Sequence, residues 1–402
     1  MGVQFDDSPV RVVFWRGTRY SPYWVMENNL LMADQGTESF NGREGCYEHM
    51  LDAQCRFSHV RIIENHDARV VVHWRNCPVS SRQSPSQLDE ISGWSDWVDE
   101  YYTFYPDGIG IRHVILHTTS RPLGSEEVIA LCHPGQRPED IIELDAMTLV
   151  NLKGQSHTYS WAQGSPILKQ EDKYVGFGED PAEKPLIMMI NLKSKIKPFQ
   201  IFEPQCRMRI FAHEHRPEIS HFPWWNHWPV AQVPSDGRYC QAADRASHFS
   251  LAWGGPPRHP GPDNTSWECW IYGATDRPAE ELVSLARSWT QPPKLKVLSE
   301  GFISEGYDLT ERAYRLLRKK APSNAPLEIQ LAANVDAPVV NVALVIENWG
   351  PAEAALKIDG RPIPAGKNFR IGHIKKLEGS DLIVWIEKES VAPLNLALSP
   401  VN

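Results

Sequence analysis

The stretch DEYYTFYPDGIGIRHVILHT (99–118) decides the fold. Two runs rich in β-branched and aromatic residues flank Tyr105-Pro106-Asp107-Gly108, where Pro sets one turn dihedral and Gly accepts a positive φ. The pattern predicts an antiparallel hairpin. Upstream, HVRIIEN (59–65) and ARVVVHWRN (68–76) repeat this composition around Glu64-Asn65-His66-Asp67, which predicts a second hairpin. Further strand-like runs lie at 10–17, 126–132, 185–191, 207–213, 249–253 and 267–273, and again over 326–398. Only 277–288 and 309–320 read as helix, from apolar spacing that matches a helical face and, respectively, acids at the start or bases at the end.

Fifteen Trp and 32 Pro in 402 residues suit strands and turns over helical bundles. Many short strands with few helices predict an all-β chain, a seven-bladed β-propeller forming one domain over 1–402 with a few short helices. A pair of β-sandwiches accommodates nearly the same strands. Residues 326–402 either close the ring or stand as a small β appendage. The polar excursion 77–95, leading into Gly93-Trp94-Ser95-Asp96-Trp97, reads as a long surface loop.

Lys+Arg of 41 against Asp+Glu of 50 gives a formal charge of -9, which speaks against a nucleic-acid or anionic-membrane partner. No run of about 18 apolar residues is present, so no membrane span is expected. The opening MGVQFDDSPV lacks a basic and apolar leader. A soluble protein is expected, cytoplasmic as the chain stands and secreted or periplasmic if a leader was removed. Seven scattered cysteines without a C-x-x-C pair fit neither a disulfide framework nor a zinc ribbon.

HFPWWNHWPVAQVPSDGRYCQAADRASH (221–248) sets Trp224, Trp225 and Trp228 among His221, His227 and His248, beside Arg238 and Arg245. Flat aromatic faces next to guanidinium groups suit a sugar ring, and an acidic sugar would use the arginines best. A buried aromatic plug is the alternative reading.

Several phrases in order carry a resemblance: FWRGTRYSPYWVMEN (14–28), EHMLDAQCRFSHVRIIE (48–64), DARVVVHWR (67–75), SDWVDEYYTFYPDGIGIR (95–112), PGQRPEDII (134–142), FPWWNHWPVAQVPSDGR (222–238) and YGATDRPAEELVSLARSW (272–289). Together they resemble the seven-bladed propeller enzymes that attack the L-rhamnose-α-1,4-D-glucuronate linkage. That group holds rhamnose-glucuronate lyases of arabinogalactan or gum arabic, propeller ulvan lyases, and a related α-L-rhamnosidase family. The resemblance implies a polysaccharide lyase acting by β-elimination on an acidic rhamnose-containing oligo- or polysaccharide, leaving a 4,5-unsaturated uronate. Hydrolysis of the same bond and noncatalytic sugar binding are the alternatives.

Such an elimination needs a neutralised carboxylate, a base for the C5 proton and an acid for the departing O4. His49 and His59 are candidates for proton transfer. His73, amid apolar residues, ranks after them as a core histidine. Alternation puts Tyr101 and Tyr105 on one strand face and Tyr102 on the other, and Tyr105 beside the turn is taken as the acid. Arg112 is the first choice for the carboxylate, with Arg16, Arg61, Trp225, His227 and Arg238 as substrate-binding residues. The chemistry requires no cofactor; a structural divalent ion, zinc or calcium, would take His227, Cys240, Asp244 and His248.

Overall fold

Both expected hairpins form in the computed structural model, which describes residues 1–35, 37–41, 45–80, 82–118, 126–136, 138–163, 176–178, 180–210, 224–225, 247–319, 322 and 324–401. Strand β1 (His59–His66) neighbours β2 (Arg69–Asn76), and pairing runs through His66, so the turn falls on Asp67-Ala68, later than the polar cluster suggested. Strand β3 (Trp97–Phe104) turns into β4 (Ile109–His117). Gly108 sits at φ 76°, its N–H bonding the Tyr105 carbonyl at 3.1 Å. Asp107 closes the turn by accepting the Ile109 N–H at 3.2 Å.

These four strands belong to a ten-stranded sheet with β5 (Ile142–Asn151), β6 (Ser156–Tyr159), β7 (Pro185–Leu192), β8 (Lys197–Phe202), β9 (His259–Pro260) and β10 (Ser266–Thr275). The order is β6-β5-β7-β8-β10-β4-β3-β2-β1, with β9 on β10. An eight-stranded sheet gathers Gly2–Gln4, Arg11–Phe14, Pro22–Val25, Leu31–Gln35, Glu126–Cys132, Arg207–Ile210, Trp224–Trp225 and Ser247–Gly255. Trp24 of this sheet is 1% exposed and meets Tyr272 of β10 edge-on, ring centroids 5.1 Å apart. Each large side chain buried this way adds roughly 1.5–3 kcal/mol to folding.

The chain divides into two compact units: 1–61, 73–101 and 112–281 form one, and 62–72, 102–111 and 282–402 the other. In the second, two five-stranded sheets share a core that includes Leu316, Leu344 and Val384 from one sheet and Leu327, Ile329 and Leu396 from the other. The tail from Leu327 to Val401 is built of seven successive strands joined by short turns, as the strand-like runs over 326–398 predicted. The helix expected at 277–288 is present as a 3-10 turn over Ala279–Leu282 followed by an α-helix over Val283–Thr290.

One expectation is met in part and one needs correction. The mostly-β class is observed, but the described strands do not fall into seven four-stranded groups. A blade pairs its strands with one another, whereas here β4 pairs β10, from far along the chain, and no described sheet closes into a barrel. The helix expected at 309–320 is instead a strand, Ala313–Arg318, paired antiparallel with Phe302–Asp308 and parallel with Val339–Glu347. Two flanking strands outweigh the local spacing. No helix among the described residues is long and apolar enough to cross a membrane.

Candidate functional site

Period-2 alternation separates two faces of the strands β2, β3 and β4. In β4, Arg112, Val114 and Leu116 are buried while His113, Ile115 and His117 are half-buried. The half-open face carries His73 and Arg75 from β2, Trp97, Asp99 and Tyr101 from β3, and His113 and His117 from β4. Asp99 is its centre. Its Oδ1 lies 2.7 Å from His73 Nε2, and its Oδ2 lies 2.9 Å from His117 Nε2 and 3.1 Å from Arg75 Nη1. His73 stacks on Tyr101 at 4.7 Å, Arg75 lies 5.0 Å over Trp97, and Trp94 stands perpendicular to His117 at 6.5 Å.

The strip continues toward β10. Tyr101 faces His113 at 6.2 Å, and His113 meets Trp267 edge-on at 5.6 Å. Trp267 stacks on His259 at 4.1 Å, and His259 Nε2 bonds Glu203 at 3.0 and 3.1 Å. The Cys269 thiol donates to the same carboxylate at 3.7 Å.

Burial works to raise the Asp99 carboxyl, but the His73 hydrogen bond and the charges of Arg75 and His117 outweigh it and hold it below the usual range. The Tyr101 phenol is raised, by burial and then by Asp99, against the pull of Arg61 and Arg75. Glu203 is raised by burial, opposed by His259. An ionised carboxylate only accepts, so Asp99 assigns the N–H of both partner rings to Nε2 and leaves each Nδ1 as a proton acceptor in the neutral form. His73 Nδ1 is buried with no hydrogen-bond partner among the described residues. His117, with its side chain 27% exposed, is the ring that a ligand can reach.

The opposite face is a closed charge network. Arg112, fully buried, donates from Nε to Glu100 Oε2 at 2.8 Å and pairs through Nη2 at 2.7 Å, while Asn76 donates to Glu100 Oε1 at 3.2 Å. The guanidinium also lies 4.8 Å over Trp270. Glu268, 6% exposed, pairs with Arg258 at 3.7 Å. Burial pushes its carboxyl up to about 7 against the pull of Arg258 and Arg112.

The expected catalytic residues have the following surroundings. Arg112, expected to meet a substrate carboxylate, is used by Glu100. His49 is buried edge-on to Trp74 at 4.6 Å, and neither ring nitrogen has a partner among the described residues. Burial and the charges of Arg112 and Arg19 push its pKa down to about 3, so it stays neutral. Tyr105 belongs to the second unit, where its buried hydroxyl donates to the Glu311 carbonyl at 2.7 Å and burial raises it to about 12. His59 is exposed at the start of β1.

Arg16 is exposed, bonding the Gln54 carbonyl at 3.1 Å. Arg61 is exposed on β1, and its charge acts on Tyr101. Trp225 lies in a two-residue strand opposite His248, which is buried. His227, Arg238, Cys240 and Asp244 lie outside the described residues. Among the described residues no group of three His, Cys, Asp or Glu side chains is placed to hold a metal ion. Of the expected residues, Arg61 reaches the Asp99 face only through the action of its charge on Tyr101, while the lower-ranked His73 and Tyr101 lie on that face. The signal that marks this face is the alternation Trp97-x-Asp99-x-Tyr101 and His113-x-x-x-His117, polar where an inward face would be apolar.

No family model matches the chain, and no curated protein matches it. Among solved structures it is similar to an α-N-acetylgalactosaminidase from Bifidobacterium bifidum, with TM-score 0.37 and 12% identity over 72% of this chain. The chain spans 38% of that protein's length. A GalM/aldose epimerase homologue from C. elegans gives TM-score 0.31 and 9% identity over 68% of this chain and 97% of the other. A galactose 1-epimerase from Lactobacillus acidophilus gives 0.29 and 10% over 67% and 93%. These three neighbours are sugar-active proteins, one galactosaminidase and two of the aldose epimerase kind.

Proposed function

We propose that this chain processes an acidic carbohydrate at the Asp99 face, as a polysaccharide lyase that breaks the L-rhamnose-α-1,4-D-glucuronate linkage by β-elimination. The observation that carries this reading is a carboxylate held between two imidazoles and an arginine on a half-open face lined by aromatic rings. The rings suit the C–H face of a sugar, and the arginines suit a uronate carboxylate. The rhamnose-glucuronate bond itself comes from the resemblance over about residues 10–290.

In this reading Arg61 and Arg75 offset the uronate charge, which makes the C5 proton more acidic. His117 takes that proton at Nδ1, with Asp99 stabilising the imidazolium that forms. The C5 electron pair becomes the C4=C5 double bond as C4–O4 breaks, and O4 leaves with the Tyr101 proton. A phenol raised by burial remains protonated at neutral pH and is available as that acid. Side chains carry both proton transfers, so no cofactor enters, and His227, Cys240, Asp244 and His248 play no part in these steps.

The test is incubation with a rhamnose-capped glucuronate oligosaccharide, following ultraviolet absorbance of the conjugated uronate together with released rhamnose. Absorbance rising with product supports the lyase. Free rhamnose without absorbance identifies an α-L-rhamnosidase, and binding without either product identifies a noncatalytic sugar-binding protein. Neither binding nor turnover rejects the site.

A further inference from the structure

We propose that the Asp99 face takes a saccharide of more than one ring, laid between Trp94 and Trp267, and that Trp94 sets its length preference; this rests on reading that face as a sugar site. Aromatic rings stand at both ends of the polar strip. Trp94 is perpendicular to His117, and Trp267 meets His113 edge-on and stacks on His259. The sheet order β10-β4-β3-β2 puts Trp267 and the His73 and Arg75 pair three strand spacings apart, about 14 Å at ~4.8 Å each. His113 and His117 are separated by about 13 Å along β4, at ~3.3 Å per residue. One pyranose ring covers only part of either span.

Trp94 is 47% exposed, on a loop whose backbone is tied down. Asp89 accepts the N–H groups of Ile91 and Ser92 at 2.8 and 2.9 Å, Gly93 N–H bonds the Asp89 carbonyl at 2.8 Å, and Ser86 donates to Asp96 at 2.8 Å. An indole displayed on an ordered loop is preorganised for stacking, so a ligand need not order it on binding. The polar groups between the two rings, Asp99, Arg75, His117 and His113, match the alternation of C–H faces and hydroxyls along a sugar chain. A continuous apolar segment would take them out of water without offering a hydrogen bond, at a desolvation cost.

The experiment measures binding of glucuronate oligosaccharides of increasing length by calorimetry, in a Tyr101→Phe background that removes the proposed acid. Thermal melts confirm that each variant is folded. In the parent, affinity should rise with length; Trp94→Ala should weaken the longest oligosaccharide by about tenfold and the disaccharide by under about twofold. Trp94→Phe should restore most of the loss. Affinity independent of length, or an equal loss at every length, overturns the extended site while leaving the sugar site standing. A parent that binds no saccharide overturns both.

Discussion

The Nε2–H of His117 donates to Asp99 Oδ2 at 2.9 Å, and that bond decides which ring nitrogen is left to react. The other carboxylate oxygen takes His73 at 2.7 Å. One side chain on a central strand thus orients two rings from the strands on either side of it. Three adjacent strands supply the set because period 2 brings every second side chain to the same face.

Asp99→Asn tests that orientation. The amide keeps one acceptor but turns a donor toward an imidazole N–H, which favours the other tautomer and removes the charge that stabilises the imidazolium. Turnover should fall by about 10²–10⁴, with a smaller change in KM. The acid-side stability should change too. A carboxyl held below its ordinary pKa contributes stability that is present above the unfolded value and is lost as pH falls through the folded one. Melting curves in acid should therefore show a steeper loss in the parent than in Asp99→Asn. Turnover within a factor of about two of the parent would remove Asp99 from the mechanism.

Arg112→Ala should act on folding. Removing the guanidinium takes its charged partner from the buried Glu100, and breaking such a pair costs about 3–5 kcal/mol. Denaturant unfolding reads this directly. Adding Glu100→Leu to Arg112→Met should recover much of the loss, since an apolar replacement leaves no uncompensated charge. A stable Arg112→Ala protein with weakened uronate binding would instead return Arg112 to the substrate.

The strands were legible because their composition and turns are local properties: Glu126–Cys132 has the expected ends, and the β3–β4 turn falls on the expected Pro-Asp-Gly. Their neighbours were not legible. Period 2 fixes which residues share a face, but nothing near residue 109 announces that β4 will pair with residues 266–275. The same limit hid the site. Asp99 and His117 alternate with apolar residues in a readable way, yet which face stays open depends on that distant pairing. Arg112 looked available because it is charged, and only its mutual burial with Glu100 shows it to be used. The apolar spacing around Ala313–Arg318 fits a helix locally and loses to two flanking strands.

Tyr101 on β3 and Tyr105 at its turn should separate cleanly. Tyr105→Phe removes a hydroxyl that bonds the Glu311 carbonyl, so it should lower stability by about 1 kcal/mol and leave turnover unchanged. Tyr101→Phe should do the reverse, abolishing most turnover with little effect on melting, because its phenol lies on the half-open face beside His73. Loss of turnover in Tyr105→Phe at full stability would sink this assignment.

Glu268 supplies the alkaline-side prediction. It sits on the buried face of β10 with Arg258 at 3.7 Å and with Arg112 and Glu100 close enough to act on its charge. Burial raises its carboxyl to about 7, the two arginines lower it, and Glu100 raises it again. The folded value therefore lies above the unfolded one. Its stabilising contribution is complete below the ordinary glutamate range and is lost as pH rises through about 7. Glu268→Gln keeps the shape and an acceptor for Arg258 without the titrating proton. Its melting temperature should vary less than the parent's between about pH 5 and about pH 8, and should exceed it at the upper end. Parallel curves for the two proteins would show that Glu268 is ionised throughout, with its arginines outweighing burial.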